Sequence, residues 1–542
     1  MNLVPSKASY LPGDSIQIEL ELAPSEEGRK FVVQLWHLDT LLLESVALDS
    51  TFVLDAQECG GYGVKALDPS DGMKCVGETS FDVLNTPFDR PRYGFVAEFG
   101  EGRSPEELVK TVKKLHLNMV QFYDWAYKYA QLVPDTEKYL DPLNRELSLT
   151  TVRGMTKALV RVGSKSMGYA AVYAVGGTEW DQWKEAGLFK SDGQPHRFTD
   201  DLLLVVDPSN ENWMGHFTDD LDQSMKEVGF DGFHLDSYGW PKKAFRADGT
   251  ICDLNIAFSK LLARIRKNVP ESLFMFNNVN DFPTWSTTQT DQDATYIEVW
   301  APHTSLGHLG LLIDRARACR PGFPPILAAY LSVFSKAPVT EANDAARLVM
   351  ATIFSHGGTH LLNGEGDVAL VDPYYPKNHK ADESTVKLMK NWYDFHVRYG
   401  DLLLAPEAVD VTRSYTGGIN EDLIFTTQAG QAILTDPEPD AIWVRVVRTD
   451  LGLVIHLINL IGQEETNWDR RKSPIPNVRG LRLRLLKTLG VDSPYLVEPE
   501  RTPWPQHIDT KDDGSDYLEI DIPDFGAWAM IVLPNSERWK VA

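Results

Sequence analysis

The sequence predicts a (β/α)₈ barrel flanked on both sides by β-rich segments. Three observations carry this. The first ~90 residues alternate apolar and polar side chains with period two. From "RPRYGFVAEFG" onward, short apolar runs alternate with helical patterns, giving eight strand–helix units over about 310 residues. After about residue 405 the period-two pattern returns. The expected division is therefore 1–90, a small β-sandwich; 91–405, the barrel; and 406–542, a second β-domain. A chain of 542 residues is long enough for two or three such units.

In the first segment "DSIQIELEL", "KFVVQLWHL", "STFVLDA" and "GYGVKAL" read as strands, separated by turn residues such as "LPGD" and "SEEGR". The barrel begins with Tyr93–Phe99 as a strand. In "RSPEELVKTVKKL" Ser104 can cap a helix, Pro105 suits its first turn, and Glu106 and Glu107 favour its positive end. Further strands follow in "LNMVQFYDW", "MGYAAVYAV", "GFDGFHLD" (229–236), "LFMFNNV" (273–279), "ATYIEVW" (294–300), "PPILAAYLSV" (324–333) and "THLLNGEG" (359–366). "NIAFSKLLARIRKNV" and "EANDAARLVMATIF" are among the helices between them. The long segment from "GGTEWDQW" to "VVDPSNENW" reads as an elaborated loop over the barrel mouth. "AIWVRVVR", "GLVIHLINL", "LRLRLLKTL", "YLEIDI" and "AWAMIVL" supply the strands of the last segment.

Composition narrows the function classes. There are 53 Lys and Arg against 77 Asp and Glu, a net charge of −24. That surface repels phosphate backbones and anionic lipid, so nucleic acid and membranes are poor partners and a neutral substrate fits better. The 14 Trp, 19 Tyr and 23 Phe lean towards flat, ring-shaped ligands. No apolar run approaches the roughly 20 residues needed to span a bilayer. No basic head followed by an apolar core opens the sequence, which favours a cytoplasmic protein unless a leader precedes it. Cys59, Cys75, Cys252 and Cys319 are too few and too scattered for a disulfide scaffold or a zinc site; Cys59 and Cys75 either pair or remain free thiols.

Catalytic groups of such barrels stand at the C-terminal ends of the strands. In "GFDGFHLD", Phe233 and Leu235 should face the helices, while Gly232, His234 and Asp236 face into the barrel, Asp236 at the mouth. Asp231 falls on the helix-facing side and reads as structural. In "TYIEVW", Thr295, Ile297 and Val299 fit the outer face, and Tyr296, Glu298 and Trp300 alternate inward. Two carboxylates, Asp236 and Glu298, could then face one pocket, the minimum machinery for glycoside hydrolysis. Acidic strand ends also bind metals, but only His234 lies near enough to help, so no metal and no cofactor are expected. His234 either satisfies a core hydrogen bond, orients Asp236 or binds sugar. Asp207 is a turn aspartate or a sugar contact. Of Asn277 and Asn278, one is expected to be functional. Trp300, Trp125 and Tyr123 either stack on sugar faces or pack in the core.

"GFDGFHLDSYG", "YIEVW", "RYGFVAEF", "QFYDW" and "HLLNGEGD" together resemble glycoside hydrolase family 66, the dextranases and cycloisomaltooligosaccharide glucanotransferases. The resemblance implies an immunoglobulin-like domain, the barrel and a C-terminal β-sandwich, acting on α-1,6-glucosidic bonds of dextran or isomaltooligosaccharides with retention. It implies Asp236 as nucleophile and Glu298 as acid/base, and glucose-binding roles for Tyr123, Asp124, Asn363 and Glu365. The cyclising members resemble a barrel with a large carbohydrate-binding insertion between strands seven and eight. Here only "FSKAPVTEANDAARLVMATIFSHGG" separates them, which favours a plain hydrolase over a cyclising transferase. Secreted dextranases tend to carry signal peptides and tails, so a role on imported isomaltooligosaccharides is also expected. A catalytically silent glucan-binding barrel is the alternative from another class.

Overall fold

The computed structural model describes all residues except 24–27, 48–49, 200–201, 429, 513 and 536–542. The eight expected barrel strands are present: β1 (Tyr93–Val96), β2 (Met119–Phe122), β3 (Lys165–Ala171), β4 (Gly232–Asp236), β5 (Leu273–Asn277), β6 (Ala294–Glu298), β7 (Ile326–Ala328) and β8 (Thr359–His360). They pair in parallel and in chain order within one sheet. A parallel bridge from Phe95 to Gly364 draws β1 towards the segment after β8.

Helices Glu106–Lys114, Leu149–Arg161, Glu211–Val228, Leu254–Asn268, Leu306–Cys319, Val339–Ser355 and Glu383–Arg398 follow seven of the strands; after β5 the helix shrinks to the single turn Thr284–Thr287. Their starts are set by side chains that accept otherwise unpaired backbone N–H groups. Ser148 accepts from Thr151, Asn210 from Asn212 and Trp213, Asp253 from Asn255, and Asp382 from Thr385. Ser305 and His308 form a reciprocal capping box. Ser104 accepts from the Glu106 N–H, although Pro105 occupies the cap position itself.

The two faces of the sheet fill two different cores. Phe233, Leu235, Phe274, Phe276, Ile297, Val299 and Leu327 pack outward into the helix layer. Tyr93, Phe95, Met119, Met167, Met275, Tyr296, Ile326 and Ala328 fill the barrel interior. The alternation read from the sequence is thus a division between two buried environments, as parallel sheets covered on both faces require. At the start of β4, a Cβ on Gly232 would stand 1.9 Å from the Leu273 carbonyl oxygen, so only glycine lets β4 and β5 run this close.

The N-terminal strands form a three-stranded sheet (Asn2–Pro5, Ile16–Glu21, Thr51–Leu54) and a four-stranded one (Phe31–His37, Thr40–Ala47, Gly60–Asp68, Lys74–Val83). They share a core that includes Ile16, Ile18, Phe31, Val33, Leu35, Val64 and Phe81. Thr40–Ala47 escaped the sequence reading because every residue but Ala47 is exposed, so it carries no alternation. Ala441–Thr449, Gly452–Asn459 and Trp528–Pro534 belong to a seven-stranded sheet; Leu423–Thr427, Leu481–Leu486, Thr510–Asp512 and Tyr517–Ile522 form a four-stranded one. Ile442, Val444, Leu457, Leu483, Ile520 and Ile531 are buried together between them. Cys59 and Cys75 are unpaired and exposed, so the pairing entertained from sequence does not form.

Candidate active site

Strand parity carries Asp236 and Glu298 to the mouth as expected. Both line one cavity of about 600 Å³ at the C-terminal ends of the strands. Between them on the sheet lies β5, and its last residue, Asn277, joins the two acids. The Asn277 side-chain nitrogen donates to Asp236 Oδ1 at 2.7 Å and to Glu298 Oε2 at 3.0 Å. Two acceptors on one nitrogen are no further apart than about 5.7 Å, and about 5 Å at the ~120° between the two N–H directions of an amide.

The remaining carboxylate oxygens are held by phenols. Tyr169, on β3, donates to Asp236 Oδ2 at 2.7 Å, and Tyr330, two residues beyond β7, donates to Glu298 Oε1 at 2.5 Å. Burial raises both carboxyls above the ordinary range, and the Glu298 charge raises Asp236 further; the donors from Asn277 and the phenols pull in the opposite direction. The pair therefore holds a proton more readily than two isolated acids would. A third acid, Asp124, lines the same cavity. Burial pushes it up to about 7 against the Arg145 guanidinium, with Asp141 adding to the rise. Its backbone stands at φ 48°, in the left-handed region that Asp tolerates better than most residues.

Of the other residues expected at the site, Tyr123 and Trp300 line the cavity. Tyr123 stacks on Tyr375 with centroids 4.4 Å apart, and Trp300 is 39% exposed with Tyr330 edge-on at 5.6 Å. His234 forms part of the floor. Its Nδ1 meets the Tyr93 hydroxyl at 3.2 Å, its ring lies between Tyr93 and Tyr169, and Tyr296 meets it edge-on. Burial depresses its pKa to about 3, so the imidazole is neutral. Asp231 sits in the wall, accepting from Lys165 and from the Ser166 backbone and hydroxyl. Asn278 is spent on backbone carbonyls of Phe276 and Tyr296 and on the Thr287 hydroxyl, and Trp125 is fully buried, bonded to the Tyr169 carbonyl.

Three expected sugar contacts lie outside the cavity. Asp207 accepts from the backbone and hydroxyl of Ser209 through Oδ1 and from Arg246 through Oδ2, so both its oxygens close a turn and clamp the loop after β4. Glu365 is paired with Arg103 at 2.8 Å, and burial lifts it to about 7. Asn363 is fully buried below the mouth, where its backbone pairs with Ala369. β8 ends at His360, so the "LNGEGD" residues lie past the strand, with only the isolated bridges of Asn363 and Gly364 among them.

Tyr169 and Tyr330 were missed, although parity would have found them. Met167 and Tyr169 share the inward face of β3; Ile326, Ala328 and Tyr330 share that of β7. Trp240 and Lys242, from the loop after β4, and Tyr374, after β8, also line the cavity and carry no period to betray them.

A family model described as glycosyl hydrolase family 66 matches residues 5–532. A cycloisomaltooligosaccharide glucanotransferase of Niallia circulans is 26% identical over 399 residues, 65% of this chain and 40% of its own length. A dextranase of Streptococcus salivarius is 20% identical over 532 residues, 82% of this chain and 63% of its own. The chain spans less than two thirds of the length of these curated relatives. A solved cycloisomaltooligosaccharide glucanotransferase from Paenibacillus sp., complexed with cycloisomaltoheptaose, superposes with a TM-score of 0.86 at 17% identity, covering 98% of this chain and 99% of that one. That match speaks for the fold.

Proposed function

The chain belongs to glycosyl hydrolase family 66, and from that premise we propose that it hydrolyses α-1,6-glucosidic bonds within dextran or isomaltooligosaccharides, retaining the anomeric configuration. Asp236 is the nucleophile and Glu298 the acid/base in this reading, working in the barrel read as 91–405 between an N-terminal and a C-terminal β-domain. The observation that carries it is the Asn277 bridge. The two oxygens that Asn277 holds are no more than about 5.7 Å apart, which suits a carboxylate that attacks the anomeric carbon directly, at about 5–5.5 Å from its partner; inverting enzymes set the pair roughly 6.5–9.5 Å apart to admit a water.

In the first step Asp236 attacks the anomeric carbon and Glu298 gives its proton to the departing oxygen. Glu298, having given up that proton, stays ionised because the glucosyl ester on Asp236 carries no charge to repel it. Its carboxylate then takes a proton from water, whose oxygen bonds to the anomeric carbon as the bond from that carbon to Asp236 breaks, restoring the Asp236 carboxylate. Asn277 holds both carboxylates through the cycle, and the buried Tyr169 and Tyr330 supply donors that need no reorganisation. Tyr123, Asp124 and Trp300 are the sugar contacts of this reading.

The test is a dextran digest sized by chromatography, with the first-formed anomer followed by proton NMR. Linear isomaltooligosaccharides released first as the α-anomer are expected. Release of the β-anomer, or no release, refutes the reading. The second reading is cyclising or transferring glucanotransferase activity, favoured by the names of the Niallia circulans and Paenibacillus sp. relatives. It passes through the same ester and differs in the acceptor, so cyclic products in the same digest decide for it.

A further inference from the structure

Beside the catalytic cavity lies a second one of about 410 Å³, and Trp300, Tyr330 and Pro373 line both. Its far wall comes from outside the barrel. Asn467, Trp468, Asp469 and Arg470 belong to the loop that joins Gly452–Asn459 to Leu481–Leu486 in the C-terminal sheets. This loop is fixed to the barrel mouth. The Trp468 indole donates to the His303 carbonyl at 2.7 Å and its backbone N–H to Thr304 at 3.0 Å. Asp469 accepts from the Ser332 hydroxyl at 2.5 Å and from the Val333 N–H at 3.0 Å, and Leu306 N–H donates to the Thr466 carbonyl at 2.8 Å. Lys472, itself buried, ties the loop internally to Glu465 and the Asn467 carbonyl. The wall is thus rigid before any ligand arrives.

Around the barrel, the nucleophile stands on β4 and the acid/base on β6; the second cavity lies beyond the acid/base, over the ends of β6, β7 and β8. Tyr330 touches Glu298 and lines both cavities. The acid/base must reach the oxygen between the sugar that is attacked and the part of the chain that departs. The departing part therefore extends from Glu298 away from Asp236, towards this cavity. Its chemistry suits a neutral polyol: a half-exposed indole for the apolar face of a pyranose, with the exposed Arg470 and Lys336 and the Asn467 amide as hydrogen-bond donors.

Resting on the assignment of Asp236 and Glu298 above, we propose that the cavity walled by Trp300, Asn467 and Arg470 binds the leaving segment of the glucan, the glucose units on the reducing side of the cleaved bond. The same pocket then seats a sugar acceptor. An acceptor hydroxyl oxygen bonds to the anomeric carbon, the ester bond to Asp236 breaks, and the hydroxyl proton passes to Glu298. The C-terminal loop is in this way a determinant of the balance between hydrolysis and transfer.

The test compares dextran with α-isomaltotriosyl fluoride, whose leaving group is one atom and places nothing in this cavity. Arg470 is exposed, so its replacement costs little stability. In Arg470→Ala, kcat/KM should fall about tenfold further for dextran than for the fluoride, the loss of one or two hydrogen bonds. Arg470→Trp, which fills the cavity, should in addition lower the ratio of transfer to hydrolysis when isomaltose is added to the fluoride reaction. Equal losses on the two substrates, or an unchanged transfer ratio in Arg470→Trp, overturn the proposal. Should the unaltered protein cleave neither substrate, the assignment of Asp236 and Glu298 fails instead.

Discussion

Replacing Asn277 by alanine is the sharpest perturbation of the proposed catalytic pair, Asp236 and Glu298. The change removes one N–H donor from Asp236 and one from Glu298, at 2.7 and 3.0 Å, and leaves the two carboxyls facing each other with no bridge. Hydrogen bonds to charged groups are worth roughly 1.5–3 kcal/mol each, and only the part stronger in the transition state enters the rate. A loss of about 10²–10³ in kcat/KM on dextran follows, roughly 3–4 kcal/mol. The pH profile gives a second readout. Donors to a carboxylate favour its charged form, and Asn277 lowers both acids. Without it both rise. The acid limb, where Asp236 ionises, and the alkaline limb, where Glu298 loses its proton, should both move to higher pH by about 0.5–1 unit. A loss below about threefold, or a bell that moves to lower pH, refutes the reasoning.

Asp236→Asn and Glu298→Gln should each remove most activity on dextran, and with an α-isomaltosyl fluoride and azide, Glu298→Ala should yield the α-glycosyl azide and Asp236→Ala the β-azide, as proton NMR of the products would reveal. Asp236→Asn should also melt higher than the unaltered protein at pH 8. A carboxyl raised by burial stabilises the fold below its unfolded pKa and loses that contribution as pH climbs through the folded value, so the amide's advantage, about 1–3 °C, should shrink towards pH 5. Asp207→Ala should lower stability by about 2 kcal/mol in urea titrations, having lost the Ser209 turn and the Arg246 pair, with KM for dextran unchanged. Glu365→Gln should likewise leave product lengths unaltered, because its partner is Arg103 rather than the cleft.

Much of this protein was legible before folding because period-two alternation has one meaning in a covered parallel strand. Phe233 and Leu235 against His234 and Asp236, and Ile297 and Val299 against Tyr296 and Glu298, sort by face whatever the rest of the chain does. The same rule, carried to β3 and β7, reaches Tyr169 and Tyr330. It runs two residues past the end of β7 to Tyr330, but it says nothing of loops. Asn363 and Glu365 lie past the end of β8, and Asp207 lies in a turn, so motif and loop position suggested sugar contacts where Ser209 and Arg103 had already taken the Asp207 and Glu365 carboxylates and burial had closed Asn363 off from the cavity.

Sequence by itself determined the eight strand–helix units, the β-rich flanks and the two acids at the mouth, since each follows from local periodicity. Tertiary structure alone decided how far apart those acids stand, that Asn277 joins them, and that a loop some 170 residues after Glu298 walls the neighbouring cavity. The physical reason is that distance across a barrel mouth depends on how neighbouring strands are staggered and on which distant segments pack against them. Those contacts join residues far apart in the chain and leave no period in it.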